Sequence, residues 1–153
     1  MSVELVRIDD RLIHGQVVTG WVNELQIEQI IIINDKLVND LVQKSVLTMT
    51  APPNVKVHVF GVEQFIMISR KNPIKKKTML LFNSPIDVLA IQENGVKFHS
   101  VNVGGIRFNE KRKHRLSKAV AVNDEEKSAL ETLKKNGLEV FIQMVPKDKK
   151  EIL

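Results

Sequence analysis

The chain of 153 residues contains no cysteine, no tyrosine and a single tryptophan. Without cysteine there can be no disulfide bond and no thiolate metal site, which suits a reducing cytoplasm. Aromatic side chains are not interleaved with the basic residues, so we expect no stacking platform for single-stranded nucleic acid. No apolar run reaches the roughly 18 residues needed to cross a bilayer. Residues 1–4 do not begin a signal peptide, and we therefore expect neither a leader nor a membrane span.

The overall composition is that of a globular protein. Hydrophobic residues make up 43% of the chain and charged residues 27%, and the length predicts a single domain over residues 1–153. The net charge of +5 would allow an acidic partner. On charge alone, a basic nucleic-acid-binding module without catalysis is an alternative to an enzyme.

Apolar strand patterns alternate with helix patterns along the chain. The isoleucines at 30–33 indicate a strand that is buried on both faces, as in parallel sheets. Repeated strand–helix–strand units predict an α/β fold, a three-layer α/β/α arrangement around a doubly wound, mainly parallel sheet of about six or seven strands. Predicted strands cover 3–8, 29–34, 55–60, 78–82, 98–103 and 138–145, and predicted helices cover 15–25, 62–70 and stretches that begin after Asp35, Ser84 and Asn123.

Three segments carry more specific expectations. Asp35 is predicted to cap the second helix, whose apolar residues recur at three- and four-residue steps: Leu37, Val38, Leu41, Val42, Val46 and Met49. Residues 119–122 are either a short strand or an extended entry to the last helix. The basic run 111–115, with Arg107 and Lys118 nearby, is either a solvated loop or an electropositive rim that steers an acidic partner.

The turn between the first strand and the first helix concentrates ionisable groups. Two carboxylates, an arginine and a histidine fall within the six positions from Asp9 to His14. In open α/β sheets ligands bind beyond the carboxyl ends of the strands. The pairs at 83–84 and 104–105 follow two other strands, so we expect them at the same edge.

A phosphoryl group suits this turn chemically. The first turn of the helix, which includes Gly15 and Gln16, offers unpaired backbone N–H groups. Arg11 offers a guanidinium group that can bind two phosphate oxygens. His14 can act as a nucleophile near neutral pH. Asp9 or Asp10 can orient the imidazole or hold the arginine, so no metal and no cofactor are required. From spacing alone, however, a capping histidine and an exposed ion pair remain open.

Two other classes of α/β protein lack their defining residues here. A response-regulator receiver domain needs an acceptor aspartate after its third strand, where this chain has Phe60-Gly61-Val62. A nucleotide-binding enzyme needs a glycine-rich loop of the GxGxxG or GxxxxGK[ST] type after its first strand, and neither pattern occurs.

Four segments in order resemble the IIB subunits of the mannose/fructose/sorbose family of the bacterial sugar phosphotransferase system. IDDRLIHGQV at 8–17 is similar to the phosphorylation-site loop of that family, and VLTMTAPP at 46–53 to a second family segment in slightly altered form. MLLFNSPIDV at 79–88 and SVNVGGI at 100–106 resemble the fourth and fifth strand segments. Asn83-Ser84-Pro85 departs from the Thr-Asn-Pro of many relatives, which weakens the expectation of a contact from Asn83 or Ser84.

The resemblance implies a function for each residue of the turn. His14 would accept a phosphoryl group from a phosphohistidine of the IIA protein, on the ring nitrogen nearer the backbone, and pass it to a sugar. Arg11 would contact the phosphate, and we take Asp10 as the catalytic carboxylate. Further phosphate contacts are assigned to Asp9, Gly15, Gln16, Asn83 and Ser84.

The resemblance also implies the partners. They are phosphorylated IIA, the membrane-embedded IIC and IID subunits and the sugar that these subunits present, and a homodimer is suggested. No nucleic acid is expected. The protein would be cytoplasmic and held at the inner face of the membrane through IIC and IID.

Overall fold

The computed structural model describes residues 2–153, and strands and helices alternate through most of them. The strands are β1 Val3–Asp9, β2 Gln29–Ile33, β3 Lys56–Phe60, β4 Thr78–Phe82, β5 Ser100–Gly105, β6 His114–Ser117, β7 Val120–Val122, β8 Glu139–Ile142 and β9 Glu151–Ile152. The helices are α1 Gly15–Leu25, α2 Leu41–Thr50, α3 Val62–Lys71, α4 Pro85–Glu93 and α5 Asp124–Lys135. None of these helices is long and apolar enough to cross a bilayer.

The main sheet has seven strands in the order β3-β2-β4-β1-β5-β8-β9. All neighbours are parallel except β9, which runs antiparallel to β8. The predicted α/β class and mainly parallel sheet are confirmed. From β1 the chain crosses to β2 on one side, and from β4 it crosses over β1 to β5 on the other. The carboxyl end of β1 therefore lies where the winding direction reverses, the usual position of a ligand site.

Local capping signals start two helices where the sequence predicted. Ser84 caps α4, its hydroxyl accepting a hydrogen bond from the Ile86 amide at 3.2 Å, and Pro85 follows in the first turn. Asn123 and Glu126 form a capping box at α5. The bounds of α1 at 15–25 also match the prediction.

The second helix differs from its prediction in start and orientation. Asp35 does not cap it; a 3₁₀ turn at Leu37–Asn39 comes first, and Asp40 caps α2 by accepting from the Gln43 amide at 3.1 Å. Asp35 instead accepts from the Val62 amide at the start of α3, at 2.8 Å. The apolar stripe of α2 faces solvent, because Leu47 is the one buried side chain of that helix.

Part of the basic run, for which the sequence allowed a solvated loop or an electropositive rim, is a strand. β6 pairs with β7 as an antiparallel hairpin. Of the two alternatives for residues 119–122, the structure therefore shows the short strand. Arg112 is not a free rim charge: its guanidinium makes two hydrogen bonds to the Glu126 carboxylate, at 3.0 and 2.8 Å, and a third to the Asn83 carbonyl. Glu126 is 2% exposed, so Arg112 anchors the hairpin to α5.

Two apolar layers cover the two faces of the sheet. One cluster packs α3, α4 and α5 against one face, and the other packs α1 and α2 against the opposite face. Trp21 belongs to the second layer, is 5% exposed and donates from Nε1 to the Met144 carbonyl at 2.9 Å. Trp21 is therefore part of the core.

Asp87 in the first turn of α4 is a carboxyl group that resists ionisation. Burial raises its pKa from 3.8 to about 6, and the nearby carboxylate of Asp35 adds to the shift. The folded chain thus holds this proton more tightly than the unfolded chain does. The contribution to stability is complete below pH 3.8 and is lost as the pH rises through about 6.

Asp87→Asn should remove this pH dependence. Wild type should lose thermal stability relative to Asp87→Asn between pH 4 and pH 7, because the amide cannot ionise. Thermal unfolding followed by circular dichroism at both pH values measures the difference. Glu63→Gln, which removes an exposed first-turn carboxylate of α3, supplies the baseline. Parallel pH profiles for wild type and Asp87→Asn would contradict the prediction.

Candidate active site

The turn between β1 and α1 is held rigidly at the carboxyl edge of the sheet. The Asp10 amide donates to the Gly105 carbonyl at 2.9 Å, and the Leu12 amide closes a turn onto the Asp9 carbonyl at 3.0 Å. Leu12 has a φ of 58°, a strained value for a residue with a side chain. Leu12 and Ile13 are 7% and 5% exposed. The burial of these two side chains stabilises the turn and compensates for the strained φ of Leu12.

The Asp9 carboxylate is the centre of the polar contacts in this turn. One oxygen, Oδ2, lies 2.8 Å from His14 Nε2 and accepts from Arg7 Nη2 at 3.0 Å. The other oxygen accepts from the Arg11 amide at 3.0 Å. Asp9 itself is 1% exposed. A carboxylate only accepts hydrogen bonds, so the neutral imidazole in this contact carries its proton on Nε2 and has its lone pair on Nδ1.

Arg7 is fully buried in the middle of β1. Its Nη1 donates to the Asn102 side chain and, at 3.2 Å, to the Gln143 carbonyl, and its guanidinium lies 5.6 Å from the centre of the Trp21 ring. Burial lowers the pKa of Arg7, while the charge of Asp9 acts in the opposite direction. Among residues 2–153 its Nε has no hydrogen-bond partner. The Asp9 carboxylate therefore provides the counter-charge that a buried guanidinium requires.

Gly104 makes the space for this guanidinium. A Cβ at position 104 would overlap both nitrogens at the end of the Arg7 side chain. At the next residue the situation is different, because a Cβ on Gly105 would lie 3.4 Å from Met144 Cε, an ordinary contact. The first glycine of the pair is thus required by the close approach of Arg7.

A cleft of about 280 Å³ opens beside His14. Its walls come from the turn, from the end of β5, from the segment before β7 and from the segment after β8: Asp9, Asp10, Arg11, His14, Val17, Gly105, Arg107, Ala119 and Met144. The His14 side chain is 22% exposed there. Within residues 2–153 no hydrogen bond engages His14 Nδ1 or the Arg11 guanidinium, and no side chain caps the start of α1.

The two carboxylates of the turn have different partners. Asp9, not Asp10, contacts His14, so of the two carboxylates that the sequence left open, Asp9 is the one placed to orient the imidazole. Asp10 Oδ2 instead accepts from the backbone amide and from Nε of Arg107, both at 2.9 Å. The Asp10 carboxylate raises the pKa of Arg107. Asp10 and Arg107 together form one wall of the cleft.

The remaining predicted phosphate contacts fall into two groups. Gly15 and Gln16 begin α1 directly after His14, but Gln16 lines a neighbouring groove. Asn83 and Ser84 do not line the His14 cleft. Asn83 lines a separate small pocket on the other side of Leu12, and the Ser84 hydroxyl donates to Glu126 at 3.3 Å. Ser84 is therefore engaged in capping rather than held free for a ligand.

Arg7 and Asn102 were missed in the sequence. An arginine within the apolar residues 3–8 was one signal, because a central parallel strand buries both faces. The adjacent glycines at 104–105 were the other, because they lie beside that strand and leave room for a long side chain.

The arrangement can carry a phosphoryl group. The imidazole of His14 lines an open cleft, its Nε2 contacts a buried carboxylate, and a free guanidinium and uncapped helix amides lie beside it. These are the donors that stabilise phosphate oxygens without a metal.

Comparisons with known proteins agree on one family. Residues 3–153 match the family model described as the PTS system sorbose subfamily IIB component. The mannose-specific EIIAB component of Escherichia coli is 41% identical over 152 residues, which cover 98% of this chain and 46% of that protein. The chain thus spans about half the length of that relative. The fructose-specific EIIB component of Bacillus subtilis is 35% identical over 99% of this chain and 93% of its own.

A solved structure gives the same result. The IIBSor domain of the sorbose permease from Klebsiella pneumoniae superposes with a TM-score of 0.92 and 36% identity, covering 98% of this chain and 92% of that one. The family model covers nearly all of the chain, and the structural match extends over the same residues. The chain therefore belongs to the sorbose subfamily of IIB components of the sugar phosphotransferase system.

Proposed function

We propose that this chain is a phosphoryl carrier that accepts a phosphoryl group on His14 Nδ1 from phosphorylated IIA and transfers it to a sugar. The observation that carries the proposal is the contact between Asp9 and His14 Nε2 at 2.8 Å, which leaves Nδ1 as the nucleophilic nitrogen. Membership of the IIB family supports the same reaction. The site offers nothing that favours the nucleic-acid alternative.

In the first transfer, the Nδ1 lone pair attacks the phosphorus atom as the bond to the histidine of IIA breaks. The proton on Nε2 stays in place, so the phosphorylated ring becomes cationic. The buried Asp9 carboxylate faces that developing charge, and Arg7 holds the carboxylate in position. Electrostatic complementarity that exists before the reaction is the usual means of lowering such a barrier.

Arg11 is the residue that suits the transferring phosphoryl group. Its backbone amide is tied to Asp9 while its exposed guanidinium stays free at the cleft. A planar guanidinium can bind two phosphate oxygens at once. The uncapped start of α1 adds N–H groups and the positive end of the helix dipole.

In the second transfer a sugar hydroxyl attacks the phosphorus and releases its proton to solvent, while the bond between phosphorus and Nδ1 breaks and Nδ1 recovers its lone pair. We infer that the sugar is presented by membrane IIC and IID subunits, which would keep the chain at the inner face of the membrane. Residues 1–153 act as one IIB unit in this scheme. Exposed basic side chains near the cleft, among them Lys113, Arg115 and Lys118, suit an approach by negatively charged phospho-IIA.

His14→Ala should abolish phosphorylation because it removes the nucleophile. The chain is incubated with phosphoenolpyruvate, enzyme I, the phosphocarrier protein and IIA, and its mass is measured before and after brief acid treatment. Wild type should gain one acid-labile phosphate. His58→Ala and His99→Ala are the matched controls and should be labelled like wild type. Full labelling of His14→Ala would refute the mechanism.

Arg11→Lys should fold normally but transfer slowly, because an ammonium group is a point charge and cannot bind two oxygens in one plane. Loss of one preorganised contact of this kind typically costs about 10²–10³ in rate. Rapid-quench measurement of transfer from phospho-IIA gives the rate. Arg70→Lys, which changes an exposed arginine in the last turn of α3, should transfer at the wild-type rate. An unchanged rate for Arg11→Lys would reduce Arg11 to a surface residue.

Gly104→Ala should destabilise the chain and slow transfer, because the new methyl group displaces Arg7 and with it the support of Asp9. Overpacking of this kind costs about 1–3 kcal/mol. Urea unfolding measures the stability and the mass assay measures the transfer. Gly105→Ala, whose Cβ meets only the end of Met144, is the control. Equal losses of stability and transfer in the two variants would show that Arg7 does not require the absence of a side chain at position 104.

A further inference from the structure

The outward face of α2 is apolar. Leu41, Val42 and Met49 are 75%, 71% and 83% exposed, and Val46 is 48% exposed. Leu47, on the inward side, is the one buried residue of the helix. We refer to Leu41, Val42, Val46 and Met49 as the α2 face.

This face departs from the normal pattern of a surface helix. At 100° per residue the four side chains occupy an arc of about 140°, roughly opposite to the buried side. A surface helix normally presents polar residues there. Single exposed apolar residues need no explanation, whereas a contiguous group on one element marks an interaction site.

The α2 face begins beside the loop that carries His14. Asp40 and Gln43, at the start of α2, line a pocket of about 230 Å³ together with Leu12 of that loop. One small pocket therefore separates the first turn of α2 from the turn that carries the nucleophile. A partner that covers the α2 face can extend across this pocket to the carboxyl edge of the sheet.

The charge of the α2 face indicates which partner it suits. The helix contains no carboxylate, and its one cation, Lys44, is half-buried. The walls of the His14 cleft, in contrast, are charged: Asp10 pairs with Arg107, and the guanidinium of Arg11 is exposed without a hydrogen bond among residues 2–153. Phosphorylated IIA is negatively charged at its reacting histidine and suits the free guanidinium of Arg11. A neutral apolar face offers such a partner no electrostatic attraction and instead suits an apolar protein surface.

The sugar-transfer step requires a partner that offers an apolar protein surface. The membrane subunits must hold the chain while the acceptor hydroxyl reaches His14, and apolar burial supplies association that does not depend on the phosphoryl charge. A second copy of this chain on the α2 face would lie permanently beside the carboxyl edge of the sheet, which IIA and the membrane subunits must each reach in turn.

We propose that the α2 face is the docking surface for the membrane IIC and IID subunits, separate from the charged His14 cleft that receives phospho-IIA. This assignment rests on the proposed function. It divides the two partners between an apolar helix and a charged cleft that meet near Leu12.

The test is the double variant Leu41→Gln/Met49→Gln, which changes the two most exposed residues of the face. Membrane vesicles that contain the cognate IIC and IID subunits are supplied with phosphorylated IIB and radiolabelled mannose, fructose and sorbose in parallel. The concentration of IIB at half-maximal sugar phosphorylation should rise at least tenfold, with the rate at saturation unchanged. Co-sedimentation of IIB with the vesicles should weaken by the same factor.

Met67→Gln is the matched control, because Met67 is 57% exposed on α3, a helix of the other layer. It should behave as wild type. Phosphorylation of the double variant by phospho-IIA should also match wild type, and a loss there would assign the face to IIA and overturn the proposal. Unchanged half-saturation would overturn it as well, including when light scattering shows that wild type is a dimer and the variant a monomer. Failure of wild type itself to carry phosphate would instead refute the proposed function.

Discussion

The buried pair of Arg7 and Asp9 is the interaction on which the rest of the site depends. A guanidinium without solvent contact requires a counter-charge, and the 3.0 Å contact with Asp9 supplies it. The same carboxylate oxygen contacts His14, so the counter-charge that Arg7 requires also fixes the carboxylate beside the imidazole. Gly104 and Asn102 serve this pair from the next strand, one by leaving space and the other by accepting a hydrogen bond. Stability and chemistry therefore depend on the same atoms.

The sheet topology delivers these groups to one place. β1 lies between β4 and β5, and the chain leaves β1 and β4 in opposite directions along the sheet, so the site forms at the carboxyl end of β1. The end of β5 contributes Gly105, which accepts from the Asp10 amide, and the chain just beyond it contributes Arg107. On the far side, Glu126 joins the hairpin, α4 and α5 through Arg112, Ser84 and Asn123. The basic hairpin beside the cleft is thereby attached to the body of the protein.

Features that depend on neighbouring residues were predictable from the sequence. The start of α4 at Pro85 and the bounds of α1 follow from caps and periodicity within a few positions. The turn at 9–14 could be placed at the carboxyl edge of the sheet because it directly follows the first predicted strand. The choice between Asp9 and Asp10 could not be made, because it depends on Arg7 and Arg107, which are brought in by the register of distant strands. Periodicity also located α2 without revealing which side faces inward, since the apolar stripe that would normally be buried faces solvent and Leu47 lies opposite it.

The strained backbone of Leu12 has a consequence for how a phosphoryl group travels. Its φ of 58° is maintained by the burial of Leu12 and Ile13, and the turn is tied at both ends to the strand and to Gly105. These contacts hold His14 at a defined position at the end of the sheet. In the proposed function, donor and acceptor are therefore expected to approach the histidine in turn, and the whole domain, not the loop alone, would reorient between them.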